Sequence, residues 1–301
     1  MSVVFGPVSS RRFGRSLGVD LSPQQKCCNF DCVYCELSAS KPKGEIVNPP
    51  SVAEILTQVK AALKTHQNID VITLTANGEP TLYPNLRELI EGLNSLKSAA
   101  KTLILSNGTG VVKPEIFEAL KGLGIVKFSL DSATQKTFRK IDRGGGEILV
   151  AELIDAMAKF RREFNGELVL EILVVAALND TQAEFEALNR AVNKILPARV
   201  DISTIDRPPA YPVKGVSAQR LGELASMIHG VPCSVASAKY SGERLDFSKT
   251  ELLDLLSRRP QSKTDVEISF SEDSKINLRE LLADSKVYET SVAGVKFYRA
   301  K

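Results

Sequence analysis

The reading turns on Cys27-Cys28-Asn29-Phe30-Asp31-Cys32-Val33-Tyr34-Cys35. Four of the five cysteines fall within these nine positions, and the fifth, Cys233, stands alone. A disulfide framework spreads its cysteines along the chain and uses an even number, so this cluster reads as a metal site. Cys28, Cys32 and Cys35 sit at spacings of four and three. Thiolates are the soft ligands that iron–sulfur clusters take, and most [4Fe–4S] clusters take four. No good fourth is visible: Cys27 adjoins Cys28, and Cys233 is isolated. Three ligands would leave one iron open to a small molecule. Three other readings stay open on these residues alone. They are a structural zinc that draws on Cys27 or His66, buried cysteines with no ligand, and a Cys32/Cys35 dithiol.

Outward from this loop the chain alternates β-rich runs with amphipathic helical stretches. The runs are Leu17–Leu21, Asp70–Leu74, Lys101–Leu105, Ile125–Leu130, Leu168–Val175 and Val200–Ile205. The later ones show little polar alternation, which suits strands covered on both faces. Ser51 with Glu54 three residues on has capping-box spacing and starts a helix to about Thr65. Further helices are expected at about 85–99, 114–121, 134–140, 147–164 and 181–195. Strand then helix, six times over, means a parallel α/β sheet. Six units in about 190 residues favour an open or partial barrel over a full eightfold one. A doubly wound open sheet is the competing topology.

The last 50 residues read differently. Leu252, Leu253, Leu255 and Leu256 form a short apolar helix that ends in Arg258, Arg259 and Pro260. A second helix is expected at 276–282, then a hairpin from 286–290 and 294–299. Helices followed by a hairpin suggest a small winged-helix-like domain over 249–301, with a linker near Ser237–Thr250 and a core domain over 1–240. A subdomain that merely caps the sheet edge is the plainer reading.

Composition narrows the class. With 43% hydrophobic and 25% charged residues in 301, the chain is an ordinary globular one, neither disordered nor fibrous. Its net charge of +3 is too weak to mark a dedicated nucleic-acid binder. No apolar run of about 18 residues occurs, so no membrane partner is expected. The first 20 residues lack a signal-peptide core, and a cytoplasmic location is expected.

The Cys-x3-Cys-x2-Cys loop, with Tyr34 just before its last cysteine, resembles the hallmark of the radical S-adenosylmethionine (radical SAM) superfamily. The resemblance spans roughly residues 1–240 and implies a partial (β/α)6 barrel. It implies that Cys28, Cys32 and Cys35 hold a [4Fe–4S] cluster whose open iron chelates S-adenosylmethionine. One electron would then release methionine and a 5′-deoxyadenosyl radical. Asn77-Gly78-Glu79-Pro80 is similar to the family's Gly-Gly-Glu motif, with Asn77 in place of the first Gly. Gly78 and Glu79 would contact the methionine amino group, a sensible use of a carboxylate. Ser106-Asn107-Gly108 resembles the ribose-contacting element. Ser129-Leu130-Asp131 resembles a Ser-Leu-Asp found in several members. Tyr34, Gly78, Glu79, Ser106, Asn107, Ser129 and Asp131 are thus the implied cofactor contacts. Each motif follows a strand, where ligands of parallel α/β folds sit. An electron donor such as flavodoxin or ferredoxin is implied as partner.

Within the superfamily, Phe5-Gly6-Pro7-Val8-Ser9-Ser10-Arg11-Arg12-Phe13-Gly14-Arg15, Cys32-Val33-Tyr34-Cys35-Glu36-Leu37 and Asp206-Arg207-Pro208-Pro209 resemble a group akin to the wybutosine-synthesis enzymes that act on tRNA. The additional N-terminal cysteines of the tRNA enzyme are missing, so the kinship speaks to fold and cofactor more than to substrate. RNA is the first substrate candidate. Arg11, Arg12, Arg15, Arg139, Lys140 and Arg143, ahead of the Gly144-Gly145-Gly146 turn, are candidate phosphate contacts, and solvated faces or ion pairs are the plainer reading. A protein or small-metabolite substrate, and a non-enzymatic metal-binding regulator, are the alternatives. Arg143 and Arg207 could grip an anion or form structural ion pairs. His66 and His229 read as peripheral. Cys233 reads as buried, with hydrogen-atom donation as the other option.

Overall fold

The computed structural model describes residues 2–10, 12–145, 148–235, 244–258, 260–292 and 295–301. Eight strands line up in chain order in one sheet: β1 (Val4–Ser10), β2 (Gly14–Asp20), β3 (Val71–Thr75), β4 (Lys101–Ser106), β5 (Ile125–Ser129), β6 (Glu167–Val174), β7 (Arg199–Thr204) and β8 (Cys233–Val235). The first pair, β1–β2, is antiparallel and every later pair is parallel. Between the parallel strands lie α1 (Val52–Thr65), α2 (Leu86–Ser95), α3 (Pro114–Leu120), α4 (Gln135–Ile141), α5 (Val150–Glu163), α6 (Gln182–Ile195) and α7 (Ala218–Ala225). A doubly wound sheet reverses its strand order at a switch point. This order never reverses, so right-handed crossovers put the helices on one face, as in a barrel wall. The barrel is open, because β1 and β8 are the two ends of the sheet.

The expected helices and all six expected strands are present. Ser51 caps α1, its hydroxyl accepting from Glu54 N at 3.2 Å. Two strands of this sheet were not foreseen. Gly6-Pro7 breaks the strand signal of β1, and an edge strand with a bulge is where such residues are tolerated. With three residues, β8 is too short to leave a pattern.

The later strands are largely covered on both faces, as expected, but the two faces differ in chemistry. Leu17, Val19, Ile72, Leu74, Ile104, Val126, Phe128, Leu170, Ile172, Val200 and Ile202 are buried in the core cluster shared with the helices. The other face carries Ser16, Thr73, Leu105, Lys127, Glu171 and Asp201. Lys127 Nζ lies 2.8 Å from Glu171 and 3.4 Å from Asp201, and Arg12 reaches the same two carboxylates at 3.1 and 3.2 Å. Mutual neutralisation is what lets such groups sit inside a barrel. Leu105 is 39% exposed although β4 is a central strand, so the lumen beside it is open.

The C-terminal residues form α8 (Lys249–Arg258), β9 (Gln261–Ser262), α9 (Lys263–Ser269), α10 (Glu272–Ala283), β10 (Val287–Val292) and β11 (Val295–Ala300). The strands make a separate sheet in the order β10-β11-β9. Leu252, Leu255, Leu256, Val266, Phe270, Leu278 and Leu281 make a second apolar core, to which Val8 of β1 is added. The hairpin and two helices match expectation, while β9 and α9 were missed. The Ser262/Asp265 capping box was the available signal for α9. The first half of the expected linker, residues 237–243, lies outside the described residues.

Candidate metal centre

Asp20 closes β2 and is buried. Its Oδ1 accepts from Ser22 N at 3.0 Å and from Asn77 N at 2.9 Å, and Arg258 of α8 lies 3.4 Å from Oδ2. Burial raises its pKa, and these contacts oppose the rise. A single carboxylate thus ties together the cysteine-loop strand, the Asn77-Gly78-Glu79 turn and the C-terminal unit. A lone acid at the end of an apolar strand was the sequence signal for it.

The two loops then lock backbone to backbone. Cys27 N donates to Asn77 O and Glu79 N donates to Cys27 O, each at 2.8 Å. Gly78 holds φ +139°, and a Cβ there would lie 1.8 Å from Cys27 O. Gly78 is therefore fixed by close approach and by dihedral angle at once. Gly78→Ala is expected to cost about 2–4 kcal/mol of stability and to shift the cysteine loop. Urea denaturation of the variant, beside its iron content, checks this.

From Cys27 the loop presents its thiols. Cys28 Sγ accepts from Phe30 N at 3.4 Å, with Asn107 Nδ2 at 3.9 Å. Cys32 Sγ faces Asp142 Oδ1 at 3.6 Å. Cys35 N donates to Cys32 O at 3.1 Å, and Cys35 O accepts from Ala210 N at 2.7 Å. Burial, and then the Glu79 charge, pushes Cys28 up to about 12; burial, and then Asp142, raises Cys32 well above a normal thiol. Cys28 also senses the charge of Cys35, and Cys32 that of both Cys28 and Cys35. Metal binding would displace their protons.

The donor set fits an iron–sulfur cluster better than zinc. Among the described residues no three His, Cys, Asp or Glu side chains converge as ligands of a single ion. A cubane asks instead for separate thiolates at separate corners. Cys28, Cys32 and Cys35 are half-buried on one loop, Cys27 is fully buried, and Cys233 is exposed on β8, against the expectation of burial.

Beside Cys28 lies a buried polar network. Glu79 is 1% exposed. Its Oε1 accepts from Thr81 N (2.9 Å), Thr81 Oγ1 (2.6 Å) and Ser106 Oγ (2.7 Å), and its Oε2 from Asn107 N (2.8 Å). Burial raises its pKa and these bonds oppose the rise. Asn107 Nδ2 donates to Asn29 Oδ1 at 2.8 Å, which returns the network to the cysteine loop. Asn29 and Thr109 belong to it and were missed, since Asn and Thr in loops look like ordinary turn residues.

Tyr34 and Asp131 are also joined: the phenol donates to the Asp131 carboxylate. Asp131 accepts from Leu173 N at 2.7 Å as well, so it ties the loop to β6. Burial raises Asp131 to about 7, and its bonds to Tyr34 and Leu173 oppose the shift. Ser129 ends β5 opposite Glu171 and is half-buried.

The basic residues divide. Arg12 is turned inward onto Glu171 and Asp201, so it is no phosphate contact. Arg15 is half-buried, its N–H bonded to Asp70 at 2.7 Å. Arg207 is an ion-pair residue: its Nη1 donates to both oxygens of Glu36 at 2.9 and 3.1 Å. Arg143 stacks over Tyr211 at 4.4 Å, with Asp31 at 3.5 Å. Arg139 and Lys140 are exposed on α4. His66 lies 3.8 Å from Glu251, away from the thiols, and the His229 backbone bonds to α6. Arg11, Gly146 and Arg259 lie outside the described residues.

The profile of the Radical SAM superfamily matches residues 23–190. This chain belongs to the radical SAM superfamily. A Helicobacter pylori protein named UPF0026 protein is 37% identical over 303 residues, covering 100% of this chain and 98% of the relative. A Brachyspira hyodysenteriae protein named GTPase Obg is 34% identical over 306 residues, covering 98% of this chain but 45% of that protein. A solved radical SAM methyltransferase from Sphaerobacter thermophilus superposes with a TM-score of 0.58 at 18% identity, over 73% of this chain and 66% of that one, which supports the fold. As a radical SAM enzyme the chain uses a [4Fe–4S] cluster and S-adenosylmethionine and needs an electron donor. No helix among the described residues is long and apolar enough to cross a membrane.

Proposed function

We propose that Cys28, Cys32 and Cys35 hold the cluster and that this chain cleaves S-adenosylmethionine reductively on behalf of a substrate in the barrel lumen. The observation that carries this is the backbone lock between Cys27 and Gly78, which sets three thiols beside the Glu79–Ser106–Asn107 network. Bound there, the cluster supplies the electron that splits the sulfonium into methionine and a 5′-deoxyadenosyl radical. Among the described residues Oε2 of Glu79 accepts one bond, so it keeps acceptor capacity for the methionine ammonium. Ser106 and Asn107 act chiefly by holding that carboxylate, with Asn107 placed for the ribose. Tyr34 and Asp131 hold the loop to β6, and Ser129 faces the lumen. Anaerobic reconstitution with iron and sulfide, then dithionite and S-adenosylmethionine, is expected to yield 5′-deoxyadenosine. A fully loaded protein that yields none favours a metal-binding regulator.

The substrate we propose is RNA, in the cytoplasm. The opening segment's likeness to the tRNA-modifying group supports it. So does the helix–strand–helix–helix–hairpin order of residues 249–301, which is that of a winged helix. That tail has ten cations against nine acids, so it docks weakly at best by charge alone. Nucleoside profiling of a strain lacking this protein is expected to show one missing modification. A second reading, action beside a protein, draws on the Brachyspira relative. This chain carries no Gly-x4-Gly-Lys-Ser/Thr phosphate loop, so we take a GTPase as candidate partner rather than as an activity of the chain itself.

A further inference from the structure

The outer face of α4 is the most uneven charge feature near the thiols. Thr134 to Arg143 carries Lys136, Arg139, Lys140 and Arg143 against one acid, Asp142. Asp142 is 4% exposed and faces Cys32, whereas the four cations are exposed. Among the described residues Lys136, Arg139 and Lys140 have no ion-pair partner, and Arg143 has only Asp31 at 3.5 Å. Cations in a last helical turn often serve its free carbonyls. Here that need is met otherwise, since Ile141 O and Asp142 O accept from Val33 N at 2.9 Å and Asp31 N at 3.1 Å.

Those two bonds also fix where the patch sits. Asp31 and Val33 flank Cys32, and Phe138 of α4 packs edge-on against Phe30 at 5.5 Å. Gly145 N donates to Asn29 O at 3.0 Å and lies against Pro42, which brings exposed Lys41 and Lys43 alongside. The helix and the cysteine loop are thus one packed unit with a basic exterior. Yet α4 belongs to the helical layer outside the sheet, with Phe138 and Ile141 buried beneath it. Past its end Arg143 turns onto Tyr211 and Asp31, whereas its own cations Lys136, Arg139 and Lys140 face away from the lumen. A substrate that must meet the radical has no use for them, whereas a protein that delivers an electron has.

We propose that Lys136, Arg139 and Lys140, with Lys41 and Lys43, form the docking surface for an acidic one-electron donor protein of the flavodoxin or ferredoxin class. The step balances simply: the reduced donor loses one electron, the oxidised [4Fe–4S] cluster gains it, and no bond or proton moves. Electron-transfer complexes are small and transient, and complementary charge sets their encounter rate. The surface deepens the proposed function by naming its partner's seat.

The test uses the full chain with Lys136→Glu, Arg139→Glu and Lys140→Glu combined. Binding of a purified bacterial flavodoxin and of a bacterial ferredoxin is measured on the cluster-free protein across a salt series. The wild type is expected to bind at least one of them, more weakly as salt rises. The triple variant is expected to lose on the order of 10–100-fold in affinity at low salt. With loaded protein, 5′-deoxyadenosine formation driven by dithionite is expected to match the wild type, while that driven by the reduced donor protein falls. Dithionite needs no docking, so failure of the dithionite reaction in the wild type strikes the proposed function, and failure of the binding arm strikes this surface. The surface is overturned if the wild type binds neither donor, if salt has no effect, or if the triple variant binds as the wild type does. Loss of tRNA binding with donor binding intact also overturns it, and assigns the patch to RNA.

Discussion

Cys32→Ser is expected to give a chain that folds with wild-type secondary structure, retains no [4Fe–4S] absorption and forms no measurable 5′-deoxyadenosine. Cys32 stands in the middle of the trio and faces a buried carboxyl, a setting in which a serine hydroxyl finds a hydrogen-bond partner at once. The fold should therefore tolerate the change. A hydroxyl is a poor ligand for iron beside sulfide, and two thiols do not retain a cubane. The loss should exceed the roughly 10–100-fold typical of an outer-shell change. Cys27→Ser sets the contrast. Cys27 contributes its backbone to the Gly78 lock, so this variant should keep its cluster, and iron and sulfide analysis of both variants decides the matter. Equal loss in both would show that the ligand trio has been misassigned.

The second large effect is at Glu79. Glu79→Leu removes the acceptor of four donors in a buried place, and is expected to cost about 3–5 kcal/mol. Glu79→Gln tests the cause. The hydroxyls of Thr81 and Ser106 can rotate to accept a bond, but the backbone N–H groups of Thr81 and Asn107 cannot. One of them must face the new NH2 in either amide orientation, so a loss of about 1–3 kcal/mol is expected without any change of size. Thermal melting of the metal-free protein separates the three chains. A Gln variant as stable as the wild type would show that the carboxylate does not organise these strand ends.

Much of this was legible in the residues themselves. Apolar runs and helix caps gave the strands and helices because burial of one face is a local, periodic demand. The thiol spacing could be read because ligand identity is chemical rather than geometric. What escaped was set by distant partners. Arg12 carries the same charge whether it meets solvent or Asp201, and only the curl of the sheet decides. Lys127, Glu171 and Asp201 look like blemishes in apolar strands until β5, β6 and β7 bring them together. Asn29, Thr109 and Asp142 read as turn residues because their role depends on which loop lies across from them. The double duty of Gly78 was likewise hidden, since only the approach of Cys27 makes a side chain there impossible.

In the proposed function, three thiolates of one loop leave an iron free for S-adenosylmethionine. Electron paramagnetic resonance of the anaerobically reconstituted, dithionite-reduced protein tests it most directly. The expected result is a reduced [4Fe–4S] signal whose g-values change when S-adenosylmethionine is added. A signal unmoved by the ligand, or a protein whose tightly held metal is zinc, would contradict it.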